Sequence, residues 1–286
     1  MEIRKLPASA GAEWLLGGFG LLRRSPLGLG AMGALYGVLA LLLSLAAARN
    51  VSLFMLLEVV LVVVGPLLVG GMVYAASRVD AGDRAEPGQL LQGVREGKVL
   101  SLLATLLPQI ALTIAAVLLL VAVLGPQRIA EMGQLVERMQ QQATPDPELL
   151  RAFPFGRLLL WLLLVFVAAI VVSFFTFIAV PDIMLAGNRA FAAMGMSFRA
   201  CVRNLPALVV FFLLAMIAAV AIYVAVMLLG LVVALVAGQT AMQVVVQVLA
   251  TAVLMPVVTG AMYFAWKQMT GRVTTSPAEA ADRIQA

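Results

Sequence analysis

Glu58 is the one acidic residue inside a long apolar stretch, which makes it the first candidate for chemistry. It follows the start of that stretch, near residue 51, by about two helical turns, a depth of about 10 Å at 1.5 Å per residue. A carboxylate within a membrane is a candidate for proton coupling or ion binding. The alternative is structural, because at this depth the carboxylate can pair with Arg49 or approach the headgroups.

Amide and hydroxyl side chains give a second candidate. Gln243, Gln247 and Thr251 lie at positions i, i+4 and i+8, which share one face of a helix, and Gln109 lies in another apolar stretch. Together with Glu58 they could line a polar path through a membrane. The alternative is that they hydrogen-bond between helices, where each bond contributes about 0.6 and at most about 2 kcal/mol.

Cys201 is the only cysteine, and the chain has no histidine. These counts exclude a triad with a histidine base, a histidine-rich metal site and an intrachain disulfide. Because Arg199 and Arg203 flank Cys201, a thiol of lowered pKa is one interpretation. The other is a small residue on a helix at the membrane surface.

Other enzyme signatures are also missing from the sequence. Lys5, Lys98 and Lys267 lie at or beyond the ends of apolar stretches, so none is placed for Ser/Lys catalysis. No glycine-rich phosphate loop follows a strand, and no carboxylate cluster suits Mg²⁺. The pairs Gly17-Gly18 and Gly70-Gly71 indicate close helix packing. We therefore expect no catalytic residue, no metal site and no cofactor.

The composition is that of a membrane protein. Hydrophobic residues make up 63% and charged residues 12% of the 286 residues, and the mean hydropathy is +1.07. A soluble domain has about 25% charged residues. The formal charge of +5 belongs to residues beside apolar stretches, where it would meet anionic headgroups. A nucleic-acid partner is not expected, because there is no basic face with interleaved aromatic residues.

Charge-free intervals define the membrane spans. A helix that crosses a core of about 30 Å needs about 20 apolar residues, so the interval 204–266 must hold two spans, divided at Gly238-Gln239-Thr240. No ten-residue alternation indicates barrel strands, so the spans are helices. The predicted spans are 27–48, 51–76, 99–124, 158–180, 205–236 and 241–266, all within one membrane domain, 1–270.

The Lys and Arg residues indicate the orientation. Segments 1–26, 77–98, 181–204 and 267–286 carry four, four, three and three of the 19, and the intervening segments carry five. Because short basic loops stay in the cytoplasm, both termini are predicted there. Asp182, at the end of span four, can then pair with Arg189.

Two regions lie outside the spans. The segment 127–156 is predicted to be a periplasmic helical insertion, since Ile129, Met132, Leu135, Val136 and Met139 have amphipathic helical spacing. Asp146 followed by Pro147 predicts the start of a short second helix there. The tail 271–286 is predicted to be cytoplasmic and disordered.

Three similar basic stretches, 14–26, 90–98 and 194–206, each precede a pair of spans. Their apolar residues would rest at the acyl boundary while cations reach the headgroups. The expected anionic-lipid contacts are Arg23, Arg24, Arg95, Lys98, Arg199 and Arg203. Spans two and six share a Pro-x3-Gly-x-Met pattern near their ends, from Pro66 and Pro256.

This repeat leads to the predicted fold. It is an all-α integral membrane protein with six transmembrane helices in three parallel hairpin units, each preceded by a short interfacial amphipathic helix. Repeats in this order differ from the inverted repeats of many transporters, which weakens a transport hypothesis without excluding it.

Three stretches resemble a known family. Residues 196–206 (MSFRACVRNLP), with 70–82 and 90–93, are similar to the signature of an uncharacterised family of proteobacterial inner-membrane proteins. A more distant similarity is to the membrane domain of bacterial glycerophosphodiester phosphodiesterases, whose hydrolase half has no counterpart in this sequence. The resemblance implies a bacterial inner-membrane location and no assigned activity. The insertion at 127–156 is longer than expected for the family.

The functional hypothesis is a non-enzymatic inner-membrane protein that organises lipid or supports a partner protein. Its expected partners are membrane lipids, through anionic headgroups on the cytoplasmic side, while a protein partner or a homo-oligomer stays open. The alternative hypothesis is a small transporter or channel that uses Glu58 and the polar stripe of span six.

Overall fold

The computed structural model describes residues 3–47, 50–141 and 154–272. All regular structure in these residues is helical, with no β-strand among them, so the predicted all-α class is confirmed. Five of the described helices are long and apolar enough to cross a membrane, as expected of a membrane protein. Arg49, the helix predicted from Asp146 and the tail from residue 273 lie outside the described residues.

Eleven α-helices and two short 3₁₀ helices make up the described part of the chain. The α-helices are α1 (Ala10–Arg24), α2 (Pro26–Ala47), α3 (Val51–Asp80), α4 (Gln92–Arg95), α5 (Val99–Leu103), α6 (Leu107–Leu124), α7 (Pro126–Gln141), α8 (Phe155–Thr176), α9 (Ala179–Ala186), α10 (Ala190–Arg203) and α11 (Leu205–Thr270). The 3₁₀ helices are Pro87–Leu91 and Ala104–Leu106. The chain forms two compact units, Met1–Leu106 with Phe174–Ala286, and Leu107–Ser173.

The first unit contains a large buried core, which we call the helix-end core. It is built around Trp14, Met72, Ile183, Phe211 and Trp266, which are almost completely buried. The last part of α11, with Tyr263 and Trp266, is buried in this core, and α11 as a whole contacts α1, α2, α3, α9 and α10. Residues 252–266 of this segment include no charged side chain and few polar ones, as expected of a helix enclosed by other helices.

Glycines allow the helix backbones of this core to touch. A Cβ on Gly18 of α1 would collide with the carbonyl oxygen of Val257 on α11. A Cβ on Gly71 of α3 would collide with the backbone of Leu90. The predicted packing role of both glycine pairs is thus confirmed at these two positions.

The long helix α11 reverses direction at Gly238. That residue has φ 84° and ψ 174°, a conformation that favours glycine because a Cβ would be strained there. Gly230 packs against the side chains of Met242 and Val246 beyond the break, which requires the chain to turn back. The break coincides with the polar interruption in the sequence.

The α2–α3 connection is closed by a helix cap. The Asn50 side chain accepts hydrogen bonds from the backbone N–H groups of Ser52 (2.8 Å) and Leu53 (3.2 Å), which begins α3. The other end of α3 extends to Asp80, one turn beyond the predicted span, because Ser77 and Val79 are buried in the helix-end core.

The second unit consists of α6, α7 and most of α8. Trp161 on α8 donates its indole N–H to the carbonyl oxygen of Ala116 on α6, at 2.9 Å. The helix expected after residue 127 is present as α7, in which Ile129, Met132 and Leu135 are half-buried and their neighbours mostly exposed.

Candidate functional site

Asp182 is a fully buried carboxylate in α9 of the first unit. It accepts hydrogen bonds from Asn188 Nδ2 (2.6 Å) and Trp266 Nε1 (3.0 Å), and Arg272 Nη1 lies 3.2 Å away in an ion pair. The predicted pairing with Arg189 is wrong. The charge is instead balanced by a residue ninety positions later, because α9 packs against the end of α11.

Asp80 plays a similar part at the end of α3. Its Oδ2 accepts hydrogen bonds from Tyr263 Oη (2.8 Å) and Lys267 Nζ (2.6 Å), both on α11. Arg24 Nη1 lies 3.8 Å from Oδ1, and the Arg24 side chain is 64% exposed, so this contact is weak.

The spacing along α11 explains how one helix holds both acids. Tyr263 and Lys267 are one turn apart and share a side, whereas Trp266 lies around the axis by about 60° from Tyr263 and about 100° from Lys267. The first two reach α3 and the third reaches α9. Both carboxylates are paired in these contacts, which tie the ends of α3 and α9 to α11.

Asn204 fixes the start of α11. Its Oδ1 accepts from the backbone N–H of Leu6 (2.7 Å), and its Nδ2 donates to the carbonyl oxygens of Arg4 (3.0 Å) and Ala200 (2.9 Å). The backbone N–H of Arg4 also donates to the carbonyl oxygen of Met269, at 2.9 Å. The segment before α1 therefore joins the two ends of α11.

Cys201 is buried in α10 and is not a reactive thiol. Burial raises its pKa to about 12, and a hydrogen bond with Ser197 opposes this rise only in part. The interpretation as a lowered-pKa thiol is wrong, and that of a small packed residue agrees with the structure.

Most of the predicted lipid-contacting residues are exposed beside exposed apolar side chains. Arg23, Arg95 and Arg203 are exposed and have no hydrogen-bond or ion-pair partner among the described residues, while Arg199 donates to the carbonyl oxygen of Gly195 in its own helix (3.2 Å). Exposed apolar residues on or next to the same helices are Leu16, Leu27, Leu91, Val94, Phe191 and Val202. Such mixed surfaces are typical of helices that lie at a membrane interface.

Lys98 differs from these arginines. Its ammonium group donates to the carbonyl oxygen of Met184 (2.6 Å) and pairs with Glu96 (2.6 Å). Partial burial raises the pKa of Glu96, but hydrogen bonds from Lys98 and Gln92 and the charge of Lys98 outweigh this effect, so the pKa lies below its ordinary value. Lys98 thus connects the loop before α5 to the end of α9.

The residues of the predicted polar path are not joined by hydrogen bonds in the described parts of the chain. In the first unit, Glu58 is exposed and has no hydrogen-bond or ion-pair partner among the described residues, which do not include Arg49, while Gln243 is exposed and Gln247 is half-buried. Thr251 donates to the carbonyl oxygens of Gln247 (2.8 Å) and Val248 (3.0 Å) in its own helix. Gln109 is an exposed residue of the second unit.

A polar groove lies where α3 ends and the next segment begins, and the sequence offered no interpretation of it. Its volume is about 360 Å³. Its lining residues carry both signs of charge or amide and hydroxyl groups, and they are Tyr74, Arg78, Asp83, Arg84, Glu86, Gln89 and Gln92. Arg78 and Asp83 form an ion pair at 2.7 Å, whereas Arg84 and Glu86 form none with any residue that the structure describes.

Comparison with known proteins gives no further assignment. No protein-family model, curated protein or solved structure matches the chain. Within the described residues, no three Cys, Asp or Glu side chains are grouped so that they could hold a metal ion. The candidate site is therefore defined by the basic surfaces around the helix-end core and the groove at the end of α3.

Proposed function

We propose that the protein is a non-enzymatic component of the bacterial inner membrane that binds anionic lipid headgroups of the cytoplasmic leaflet. Its chain crosses the membrane six times, with α11 providing two crossings separated at Gly238. Each of its three hairpin units begins with a short basic helical segment. These segments are α1, the 3₁₀ helix Pro87–Leu91 together with α4, and α10.

One observation carries this proposal: unpaired arginines and exposed apolar residues share these segments. Arg23 is on α1, Arg95 on α4, and Arg203, beside exposed Val202, on α10. An arginine that is already in an ion pair must give up that partner to bind a headgroup, and these three have none among the described residues. Each basic residue near an anionic surface contributes about 1 kcal/mol.

The correspondence between the first and third segments supports the hairpin units. Helix α1 ends at Arg24 and α2 begins at Pro26, while α10 ends at Arg203 and α11 has Pro206 in its first turn. In both cases a basic helix is followed closely by a proline in the first turn of a long apolar helix, where proline is favoured.

Lipid selectivity tests the headgroup proposal. The protein is exchanged into detergent micelles that contain equal amounts of phosphatidylglycerol and phosphatidylcholine. The lipids that stay bound are then counted by native mass spectrometry. The triple variant Arg23→Gln, Arg95→Gln and Arg203→Gln should lower phosphatidylglycerol retention, by about fivefold for each site lost at 1 kcal/mol. The matched control is Arg128→Gln, an exposed arginine of α7 that the topology places on the opposite side.

Two results would contradict the proposal. Equal phosphatidylglycerol retention by the triple variant and the wild type would show that these arginines do not bind headgroups. Independently, reporter fusions after residues 140 and 280 should report opposite sides of the membrane. If both report the same side, the six-crossing topology is wrong.

A further inference from the structure

The groove at the end of α3 differs in charge from the basic helical segments. Two cations, Arg78 and Arg84, face two anions, Asp83 and Glu86, so its formal charge is zero. The groups are arranged unequally, because Arg78 and Asp83 already bind each other at 2.7 Å. Arg84 and Glu86 remain as a cation and an anion without an ion-pair partner among the described residues.

The lining amides add hydrogen-bonding capacity of both kinds. Gln89 Oε1 accepts from the backbone N–H of Glu86 (3.3 Å), and Gln92 Nε2 donates to Glu96 (2.8 Å). Each amide therefore keeps its other group available, an N–H donor on Gln89 and an oxygen acceptor on Gln92. A ligand of this groove can find donors and acceptors side by side.

From these features we propose that the groove binds a phosphoethanolamine headgroup. Its phosphodiester carries a negative charge that suits Arg84, since guanidinium groups bind phosphate oxygens through paired hydrogen bonds. Its ammonium group carries N–H donors that suit Glu86 and the Gln92 oxygen. The volume of about 360 Å³ lies within the range of small-ligand sites.

The surroundings of the groove fit a lipid rather than a free metabolite. Leu91 and Val94 are exposed apolar residues on the segment that contains Gln89 and Gln92, and they can contact an acyl chain. Tyr74 lies one turn before Arg78 on α3, toward its apolar part. This proposal rests on the proposed function, because the groove must lie at headgroup depth for a lipid to occupy it.

Charge argues against the other common headgroups. A phosphatidylglycerol headgroup has no cation for Glu86, and like charges in close contact are unfavourable. The quaternary ammonium of phosphatidylcholine has no N–H to donate. The groove should therefore select phosphatidylethanolamine over both.

Two opposite substitutions test this selectivity. The protein is equilibrated with equal amounts of phosphatidylethanolamine, phosphatidylglycerol and phosphatidylcholine, and the retained lipids are quantified by mass spectrometry. Arg84→Gln removes the cation that binds the phosphodiester, so it should lower the amount of phosphatidylethanolamine retained by about two- to fivefold, the factor for an exposed ion pair. Glu86→Lys should shift the groove to a positive charge and raise phosphatidylglycerol retention. Arg128→Gln again serves as the control.

A second arm separates a lipid from a free anion. Glycerophosphoethanolamine and inorganic phosphate are titrated into the protein in phosphatidylcholine discs, with heat release as the readout. Glycerophosphoethanolamine is expected to bind, and Arg84→Gln should weaken this binding by about two- to fivefold. Phosphate binding of equal strength would instead indicate a free-anion site and overturn the headgroup assignment.

The outcomes also distinguish this proposal from the one it rests on. The retention of phosphatidylethanolamine can change in the Arg84 and Glu86 variants while the triple arginine variant retains as much phosphatidylglycerol as the wild type. In that case the proposal for the basic segments is wrong and the groove proposal stands. If both groove variants retain wild-type lipid ratios, the groove proposal is wrong, whatever the basic segments do.

Discussion

Asp182→Ala should strongly destabilise the helix-end core. Trp266 is almost completely buried, and losing the acceptor for its N–H costs about 1–3 kcal/mol. The bond from half-buried Asn188 adds about 1 kcal/mol. The Arg272 side chain is 26% exposed and can turn to solvent, so its ion pair counts for at most about 1 kcal/mol. The expected loss is about 2–5 kcal/mol.

Unfolding by sodium dodecyl sulfate in mixed micelles, followed by circular dichroism, measures this loss. Asp182→Asn keeps an oxygen acceptor for Trp266 and should cost less than Asp182→Ala. Glu131→Ala is the control, because Glu131 is an exposed carboxylate of α7 without a hydrogen-bond or ion-pair partner among the described residues. Its free energy of unfolding should stay within about 0.5 kcal/mol of the wild type.

A double-mutant cycle tests the physical reason. Trp266→Phe removes the N–H donor, so it should cost less in the Asp182→Ala background than in the wild type, with a coupling of about 1–2 kcal/mol. Strictly additive effects would mean that the hydrogen bond between Asp182 and Trp266 contributes nothing. A loss for Asp182→Ala no greater than that of Glu131→Ala would refute the buried-acid argument altogether.

Three further substitutions or measurements address packing, the thiol and the membrane acid. Gly18→Ala should destabilise the protein despite the better helix propensity of alanine, whereas Gly20→Ala, whose Cβ meets no atom within 4 Å, should be neutral or stabilising; thermal unfolding of both checks this. The folded pKa of Cys201, about 12, lies above its ordinary 9.0, so folding favours the neutral thiol; its contribution to stability is complete below pH 9 and is lost as the pH rises toward 12. Iodoacetamide should label Cys201 at pH 8 more than about tenfold faster after unfolding, and fast labelling of the folded protein would contradict its burial. Glu58→Gln should leave the unfolding temperature unchanged, since the side chain has no partner among the described residues; a change in proton flux into vesicles would revive the transport hypothesis.

The sequence predicts the helices because the bilayer restricts the choice. Apolar segments without charge must pair their backbone groups internally, and the helix is the local solution. The end of α3 was harder to predict. Hydropathy places the boundary at the first polar residues, near 76, whereas the helix continues to Asp80 because Ser77 and Val79 pack inside the core. The hydropathy of the sequence does not show that these residues are packed inside the core, so it cannot predict where α3 ends.

The partners of the buried acids were beyond prediction for a related reason. The sequence suggested Arg189 for Asp182 because it lies seven positions away, but Trp266 and Arg272 are brought there by the packing of α9 on α11. A usable signal was present in Trp266 and Tyr263, because a buried indole N–H or phenol usually requires an acceptor. Two such groups near one helix end indicate that acceptors must come from other helices.

Polar contacts between helices also decide which of the six predicted basic residues are available to bind a lipid headgroup. Helices in lipid gain little from apolar contact with one another, so close packing and polar bonds must hold them. Lys98 supplies such a bond through two contacts of 2.6 Å, and releasing it for a headgroup would detach the loop before α5 from α9. Arg24 is different, because Lys267 already pairs with Asp80 at 2.6 Å and Arg24 lies 3.8 Å away. A headgroup phosphate can therefore compete for Arg24 at little cost, and we expect Arg24 to act with Arg23, and Lys98 to act as a structural contact.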